Sequence, residues 1–396
     1  MGGPLEGLRV LDLSRVLAGP VCSMLLGDLG ADVLKVEQPG VGDETRSWGP
    51  PFHKGESAYF LAINRNKRSL TLNLKDPRGL ALLTRLVQAS DILIQNFRPG
   101  TLARLGLGYA EAARLNGRLI YASLTAYGSS GPGAAKPGYD FIAQGVGGLM
   151  SITGLPDGPP TKVGVAVVDV VAGLLLTALI LAALHRRERT GRGEEVETSL
   201  LQAAVALLIN VASNYLVSGE VPGRWGNAHA NIVPYQTFAT ADGHLNVAIA
   251  NDGLWRTFCQ IIGEPAWAED PEFATNAART RNRERLVPLL AARFARLPTA
   301  AWLTRLEAAG LPCGPVNTVA EVLADPAVRH LKMVQEVEHP TLGKVPLLGI
   351  PFTLAGSPPV IRRPPPRLGE HTGEVLGEVL GLSPEDVEAL RREAVL

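Results

Sequence analysis

Residues 8–37 read LRVLDLSRVLAGPVCSMLLGDLGADVLKVE, and this stretch decides the fold class. Its two ends, LRVLDLS and ADVLKVE, have the apolar, branched character of buried strands, and the segment from about Val21 to Leu29 between them favours a short helix. Strand, helix and strand in that order open a doubly wound α/β domain, in which ligands bind beyond the carboxyl ends of the strands. The sequence therefore predicts a parallel sheet with a site at one edge.

The turn after the first strand, SRVLAGP from Ser14 to Pro20, lacks the GxGxxG pattern of dinucleotide-binding sheets. Glu37 stands about where a ribose-binding acid stands in such proteins, but we favour an ordinary polar strand end. An oxidoreductase that uses NAD is therefore an alternative with weak support, and a failure to bind NAD(P) would exclude it.

Further strands and helices alternate along the chain, as expected of a parallel sheet: SLTLNL, a helix from about Pro77 to Ala89, DILIQNF, a short helix near Arg104, and RLIYASLTAYG. A change of composition near VPGRWGNAHANIVPY indicates a domain boundary. We predict a large α/β domain over 1–220, a smaller α+β domain over 225–325, and a C-terminal segment over 330–396.

Composition excludes several classes of protein. The chain has 396 residues, 46% of them hydrophobic, with 38 basic residues against 38 acidic ones, so it offers no electrostatic footprint for nucleic acid or an anionic membrane. The start, MGGPLEGLRV, lacks the pattern of a signal peptide, and we expect a cytoplasmic protein. Cys22, Cys259 and Cys313 lie far apart without metal-ligand spacing, which predicts reduced thiols and no zinc site.

Asp169 is the only charge in the most apolar stretch, VGVAVVDVVAGLLLTALILAAL over 163–184. A membrane span is disfavoured, because a mid-span aspartate costs roughly 2.5–3.5 kcal/mol on insertion scales. A better interpretation has VGVAVV extended and a helix that begins with Asp169 as its N-cap, where free N–H groups and the helix dipole favour the anion. A plain capping residue is the alternative to a functional carboxylate.

Several polar loops follow the predicted strands, where a site is expected. Cations gathered at one sheet edge can neutralise phosphates, and an aromatic ring among them offers a stacking face. The residues of this kind are Arg65, Lys67, Arg68, Lys75, Asn96, Phe97, Arg98, Arg104 and Lys136. A glycine-bearing stretch from Tyr127 to Gly154 could supply backbone N–H donors, or could be a surface loop.

These residues carry a resemblance that covers essentially the whole chain. The segments LRVLDLSRVLAGP, ADVLKVEQPGVGDETR, NRNKRSLTLNLKDPRG, NFRPGTLARLGLGY, GYDFIAQGVGGLMSITG, TGRGEEVETSL and PRLGEHTGEVL, in this order, are similar to the family III coenzyme A transferases, which also include 2-methylacyl-CoA racemases. The resemblance implies a Rossmann-like large domain, a small domain inserted before a C-terminal segment that returns to the large one, and an interlocked homodimer.

The resemblance also implies the chemistry. Asp169 would be the nucleophile that attacks the thioester of an acyl-CoA donor, forming an aspartyl anhydride and then an aspartyl-CoA thioester, from which CoA passes to a small carboxylic acid. Acyl-CoA is then a substrate, and neither a metal nor NAD takes part. The loop of Val16, Leu17 and Ala18 resembles the one over the thioester end of CoA.

Other segments resemble those that hold the adenine nucleotide and the pantetheine arm of CoA. They contain Gln38, Leu72, Asn73, Lys75, Asn96, Phe97, Arg98, Arg104, Lys136 and Tyr139. Two positions depart from the formyl-CoA transferases, which have a glutamine in place of Leu17 and an arginine in place of Gln38. The polar contacts that those two side chains make are therefore not expected in this chain.

Racemase activity is the main alternative. Racemases of this family use a histidine in a GHD triplet, whereas this chain reads Gly138-Tyr139-Asp140, and a tyrosine with a pKa near 10 is a poor base at neutral pH. The segment NAHANIVPYQTF resembles members that use succinyl-CoA and small dicarboxylates, and its His229 is either an acceptor ligand or structural. The sequence leaves the donor, the acceptor, the pathway and the stereochemistry open.

Overall fold

The computed structural model describes residues 3–396 and is built around a six-stranded parallel sheet in the order β5-β2-β1-β6-β7-β8. The strands are β1 (Arg9–Asp12), β2 (Asp32–Glu37), β3 (Phe52–His53), β4 (Glu56–Ser57), β5 (Lys67–Thr71), β6 (Ile92–Gln95), β7 (Ile120–Thr125), β8 (Glu195–Ser199), β9 (Tyr235–Ala239), β10 (His244–Ala248), β11 (Cys313–Pro315), β12 (Val334–His339) and β13 (Gly343–Leu348). Separate antiparallel sheets pair β3 with β4, β12 with β13, and β9 and β11 with β10. The predicted α/β class with a parallel sheet is confirmed.

The helices connect and cover these strands. They are α1 (Ala18–Asp28), α2 (Ala58–Ile63), α3 (Pro77–Gln88), α4 (Thr101–Arg104), α5 (Tyr109–Leu115), α6 (Asp140–Val146), α7 (Leu149–Ile152), α8 (Val167–Thr190), α9 (Leu200–Ala206), α10 (Ile209–Ser218), α11 (Asp252–Ile261), α12 (Asn276–Arg281), α13 (Arg283–Phe294), α14 (Thr299–Ala308), α15 (Val319–Ala324), α16 (Pro326–His330), α17 (Thr372–Leu380) and α18 (Pro384–Arg392). Helix α1 begins three residues before the predicted Val21, because Pro20 lies in the first turn, where a missing N–H costs no hydrogen bond.

The chain divides into two compact units. One contains the residues up to Leu149, Val163–Ala212 and Pro326–Leu396, and the other contains Met150–Lys162 and Ser213–Asp325. The second unit thus contains the whole range of 225–325 predicted for a small domain, and in addition residues 150–162 and 213–224. Its own core includes the buried rings of Trp255, Phe258 and Phe294.

The parallel sheet is buried on both faces, which explains why its strands read as continuous apolar runs. Successive residues of β1 point to opposite sides: Val10 belongs to the core on one face and Leu11 to the core on the other. All six residues of β7 are buried. These two cores fix the sheet, and the loops after its strands are left at the surface.

Helix α8 corrects one expectation. It begins at Val167 with Ala166 as the N-cap residue, so Asp169 lies in the first turn and is not the cap, and the segment before it is no strand. The helix ends at Gly191, whose φ of 70° is the left-handed conformation usual after a helix. Among the described helices, α8 is long and apolar enough to cross a membrane, and so is the bent pair of α9 and α10 if it forms one span. Half of the most apolar part of α8 is buried inside the protein, and one or two helices of this kind are weak evidence for a membrane protein.

Helices α1 and α8 pack closely at a glycine. A Cβ atom built on Gly173 would lie 2.6 Å from the backbone oxygen of Ala18 and 3.1 Å from Cγ1 of Val21. Real side chains do not come so near a backbone oxygen. The absence of a side chain at Gly173 therefore allows α8, which carries Asp169, to pack closely against α1, which begins at Ala18.

We expect Gly173→Ala to lower the free energy of unfolding by about 1–3 kcal/mol, because overpacking outweighs the better helix propensity of alanine. Gly377→Ala in α17 is the matched control: the nearest atom to its Cβ would be 3.5 Å away, and we expect a gain of about 0.5–1 kcal/mol. Urea denaturation of both variants measures these changes. Equal gains in the two variants would contradict the close packing of α1 and α8.

Candidate active site

The candidate residues come from loops that follow the strands of the parallel sheet. β1 ends at Asp12, β2 at Glu37, β5 at Thr71, β6 at Gln95 and β7 at Thr125. Because these strands are parallel, their carboxyl ends meet at one edge of the sheet. The loops that carry the predicted residues therefore lie side by side at this edge.

Asp169 opens into a cavity of about 200 Å³, which we call the Asp169 cavity. Its wall brings together nine of the residues predicted from the sequence. They are Val16, Leu17, Ala18, Asn96, Phe97, Arg98, Lys136, Tyr139 and Asp169 itself. The eight other residues come from three separate segments of the chain and surround one carboxylate.

A second cavity, of about 240 Å³, lies at the ends of β2 and β5, and we call it the Gln38 cavity. Gln38, Leu72, Asn73, Lys75 and Phe97 line it, so it contains the rest of the predicted residues except Arg104. Phe97 and Arg15 belong to the walls of both cavities, which therefore adjoin. Arg104 lines neither of them and donates to Thr101 Oγ1 at 3.2 Å.

Three cations that the sequence suggested as phosphate ligands are not available for this role. Arg65 pairs with Asp28 at 2.7 Å, Lys67 with Asp12 at 3.4 Å, and Arg68 with Asp32 at 2.5 Å, and all three side chains are almost completely buried. By contrast, Lys75, Arg98 and Lys136 are exposed and form no ion pair within residues 3–396. The free cations of the candidate site are thus those of the loops and not those of β5.

Asp140 performs the capping that the sequence assigned to Asp169. Its Oδ1 accepts hydrogen bonds from the backbone N–H of Val168 at 2.8 Å and of Asp169 at 3.2 Å. Its Oδ2 accepts from Nε2 of Gln144 at 2.7 Å. Since Asp140 satisfies these N–H groups from α6, the carboxylate of Asp169 has no capping role.

The surroundings of Asp169 disfavour its charge. Its side chain lies in the wall of the cavity, the residue is only 7% exposed, and no described residue donates a hydrogen bond to its carboxylate. Burial, and then the nearby charge of Asp140, raise the pKa of Asp169 to about 7. The sequence suggested that the helix N-terminus keeps this group ionised. In the structure it does not keep the carboxylate fully ionised at neutral pH.

Sequence reasoning missed two residues beside the nucleophile candidate. Asp140 drew attention only because a histidine is missing next to it, and its role depends on α6 lying against the start of α8. Tyr59 of α2 packs against the apolar cluster of Leu17 and Val21. Burial, followed by the charges of Asp169 and Asp140, raises the pKa of Tyr59 to about 12, so its phenol stays protonated beside the site.

Residues 3–396 contain no group of three or more His, Cys, Asp or Glu side chains that could hold a metal ion. The cysteines Cys22, Cys259 and Cys313 are free thiols.

Comparison with known proteins gives these residues a context. The model of the family described as CoA-transferase family III matches residues 5–372. The chain belongs to this family. It is therefore a CoA-transferase, and acyl-CoA is its substrate.

Two curated relatives and one solved structure illustrate the similarity. The chain is 45% identical to the succinyl-CoA:glutarate CoA-transferase of Mus musculus over 99% of this chain and 90% of the relative, and 44% identical to the succinate–glutarate CoA-transferase of Agrobacterium fabrum over 95% and 96%. The crystal structure of a CAIB/BAIF family protein from Brucella suis is 42% identical, with a TM-score of 0.84 over 96% of this chain and all of that one.

We expect Asp169→Asn to raise the free energy of unfolding above pH 7. The folded-state pKa of about 7 exceeds the usual value of 3.8 for an aspartate, so ionisation lowers the stability of the folded wild type progressively as the pH rises between these two values. At about 1.4 kcal/mol per unit, the variant should be more stable by roughly 2–4 kcal/mol at pH 8 and no more stable near pH 3.5. Urea denaturation across this range measures the difference.

Asp157→Asn is the control, because Asp157 is exposed and should change stability by less than about 0.5 kcal/mol at any pH. A wild type as stable as Asp169→Asn at pH 8 would show that the Asp169 carboxylate is not destabilised by its surroundings.

Proposed function

We propose that this CoA-transferase moves CoA from succinyl-CoA to a small carboxylic acid and that Asp169 is its nucleophile. One observation carries the proposal: a carboxylate with a raised pKa, free of capping duty, faces a cavity that adjoins a second cavity lined by the loops expected to bind CoA. A nucleophile needs an unengaged lone pair and access to its substrate, and Asp169 has both.

The first half of the reaction forms a covalent intermediate. An oxygen of ionised Asp169 attacks the thioester carbonyl of succinyl-CoA, and the C–S bond breaks to give a mixed anhydride and the CoA thiolate. The thiolate then attacks the aspartyl carbonyl, which gives an aspartyl-CoA thioester and releases succinate. The raised pKa makes the ionised carboxylate more basic, which favours attack, although about half of it is protonated at pH 7.

The second half repeats these steps with the acceptor. Its carboxylate attacks the aspartyl thioester and forms a new anhydride with Asp169 while the thiolate leaves. The thiolate attacks the acyl carbonyl of the acceptor, the new acyl-CoA departs, and the Asp169 carboxylate is restored. No net redox change occurs, so NAD is not required, and none of the proposed steps uses a metal.

The two cavities suit the two ends of CoA. Leu72 and Leu74 and the ring of Phe97 give the Gln38 cavity apolar walls for a base, while the ammonium of Lys75 lies at its rim. Arg98 and Lys136 at the Asp169 cavity are free cations that can meet phosphate oxygens. Gln38 can contribute a hydrogen bond but not the charge of an arginine.

The choice of donor rests on relatives. The names of the proteins from Mus musculus and Agrobacterium fabrum both describe the transfer of CoA between succinate and glutarate. We therefore infer succinyl-CoA as the donor and a short dicarboxylate such as glutarate as the acceptor of this chain.

We expect succinyl-CoA to form a covalent adduct on Asp169, visible by intact-protein mass spectrometry and located by digestion after trapping with hydroxylamine, which cleaves a thioester to a hydroxamate. Asp169→Asn and Asp169→Ala should show no adduct and lose CoA transfer by at least about a thousandfold. The control Asp157→Asn, altered at an exposed carboxylate, should form the adduct like the wild type.

A panel of acyl-CoAs and short mono- and dicarboxylic acids then ranks donors and acceptors. Solvent deuterium that enters the α-carbon of a 2-methylacyl-CoA without any protein adduct would indicate a racemase instead. Adduct formation with acetyl-CoA but not with succinyl-CoA would refute the donor while leaving the nucleophile in place.

We further propose that two chains form an interlocked homodimer. The outer face of α8 exposes Val170, Leu174 and Leu181, which are 36–49% exposed and lie on one side of the helix. Phe141 and Val146 of α6 are also more than half exposed. Single exposed apolar residues are common on protein surfaces, but several of them on neighbouring helices support a contact with another protein chain.

Sedimentation should give a mass of about twice 42.0 kDa. Interlocked chains cannot separate without unfolding, so two differently tagged preparations should form hybrids only after denaturation and refolding. Leu174→Glu should prevent the dimer from assembling as the chains fold, whereas Val360→Glu, at a similarly exposed position outside α8, should not. A monomeric wild type, or rapid exchange of native chains, would contradict the interlocked form.

A further inference from the structure

The turn that leads from β1 into α1 holds a valine in a rare backbone conformation. Val16 has a φ of 71°, in the left-handed region that favours glycine. For a β-branched residue this conformation is strained and persists only where surrounding structure enforces it. Val16 lines the Asp169 cavity, so whatever enforces its conformation also sets the shape of that cavity.

Side chains from three other segments hold the backbone of this turn. Asn96 accepts from Arg15 N at 2.9 Å and donates to Arg15 O at 2.7 Å. Lys35 Nζ donates to Ser14 O at 2.9 Å. Asp43 Oδ1 accepts from Val16 N at 3.3 Å. Each residue of the turn from Ser14 to Val16 is thus bound by a side chain from elsewhere in the chain.

Two of these side chains form a fully buried ion pair. Lys35 Nζ lies 2.8 Å from Asp43 Oδ2, and neither side chain is exposed. Asp43 Oδ1 also accepts from the backbone N of Thr45 at 3.0 Å and from its hydroxyl at 2.8 Å. Burial opposes the charge of Asp43, but Lys35 and Thr45 outweigh it and lower the pKa of Asp43 to about 2.

A buried ion pair is a poor source of stability, since desolvation offsets most of the attraction. A buried ion pair instead fixes geometry, because each buried charge is tolerated only when its partner lies in the right position. Here the same two side chains that satisfy each other also bind Ser14 O and Val16 N, so the pair fixes both peptide groups at once. Lys35 and Asp43 also line the Gln38 cavity, which adjoins the Asp169 cavity.

We propose that the buried pair of Lys35 and Asp43 is a positioning device that keeps Val16 left-handed and thereby places the segment from Val16 to Ala18 against the Asp169 cavity for acyl transfer. This inference rests on the proposed function, because the segment matters only if the thioester reacts at Asp169. Neither residue touches the reacting atoms. Their effect on the reaction passes through the backbone of the turn.

Asp43→Asn tests the device, because the amide keeps the size of the carboxylate but removes its charge. A turn displaced by a fraction of an ångström should lower kcat for transfer from succinyl-CoA to glutarate by roughly 10–100-fold, with KM for succinyl-CoA changed less than about threefold. The matched control is Asp28→Asn, which breaks the equally buried pair with Arg65 and lines neither cavity. Its kcat should stay within about twofold of the wild type.

Rescue by glycine separates positioning from general damage. Glycine adopts the left-handed conformation without strain, so the turn of a Val16→Gly protein needs less enforcement. In that background Asp43→Asn should lower kcat by less than about threefold. An equal loss in both backgrounds, or a loss in Asp28→Asn as large as in Asp43→Asn, would overturn the proposal.

A measurement on the free protein keeps the inference apart from the proposed function. Hydrogen exchange of a peptide covering residues 14–18 should be at least about tenfold faster in Asp43→Asn than in the wild type, and unchanged in Asp28→Asn. Unchanged exchange at the turn in Asp43→Asn would refute the device even if transfer is normal. Faster exchange in a protein whose wild type forms no adduct would refute the proposed function and leave the device standing.

If Asp43→Asn does not fold, the same cycle is run with Lys35→Gln combined with Asp43→Asn, which leaves no unpaired buried charge. The expected results are the same for this double variant, and so are the results that would overturn the proposal.

Discussion

The cost of burying the Asp169 carboxylate is the constraint on which the site depends. A carboxylate in the first turn of a helix can lower that cost by capping the free N–H groups, but it then faces the helix and is turned away from a substrate. Here Asp140 takes the two N–H groups at the start of α8, and Asp169 is left facing the cavity. The helix begins two residues before Asp169, and this small offset frees the carboxylate from capping, as its proposed role as nucleophile requires.

The fold could be predicted because its signal is local. Buried parallel strands are continuous apolar runs, so residues 8–37 are sufficient to identify strand, helix and strand, and the carboxyl edge follows from the parallel order. The start of α8 is harder to predict, because VGVAVV has the β-branched composition of a strand. The helix begins at Val167 where the carboxylate of Asp140, distant in sequence, accepts hydrogen bonds from its first N–H groups. Tertiary contact overrides local preference at such a boundary.

The candidate site could be predicted only in part, since sequence identifies cations but not their partners. Arg65, Lys67 and Arg68 are near neighbours in the sequence of Lys75, yet the first three are neutralised by aspartates from α1, β1 and β2. Those aspartates are between 36 and 55 residues away along the chain. No pattern within a loop reports such pairing, whereas the cations that stay free, such as Arg98 and Lys136, lie where no acid of the sheet reaches them.

The edge of the sheet holds two aspartates in opposite electrostatic states. Asp43 has Lys35 and Thr45 as partners, and its pKa falls to about 2, so it is a permanent anion that accepts hydrogen bonds on both oxygens. Asp169 has burial and a like charge nearby, and its pKa rises to about 7, so its lone pairs are free and basic. A permanent anion can fix a strained turn at any pH well above its pKa, because the carboxylate stays ionised and keeps its hydrogen bonds. A free carboxylate near neutrality can attack a thioester and be restored, because neither of its states is strongly preferred. The same residue type therefore serves as a fixed support at one position and as the proposed nucleophile at another. The difference comes from the neighbours: Asp43 has a buried cation and hydrogen-bond donors, whereas Asp169 has a like charge nearby.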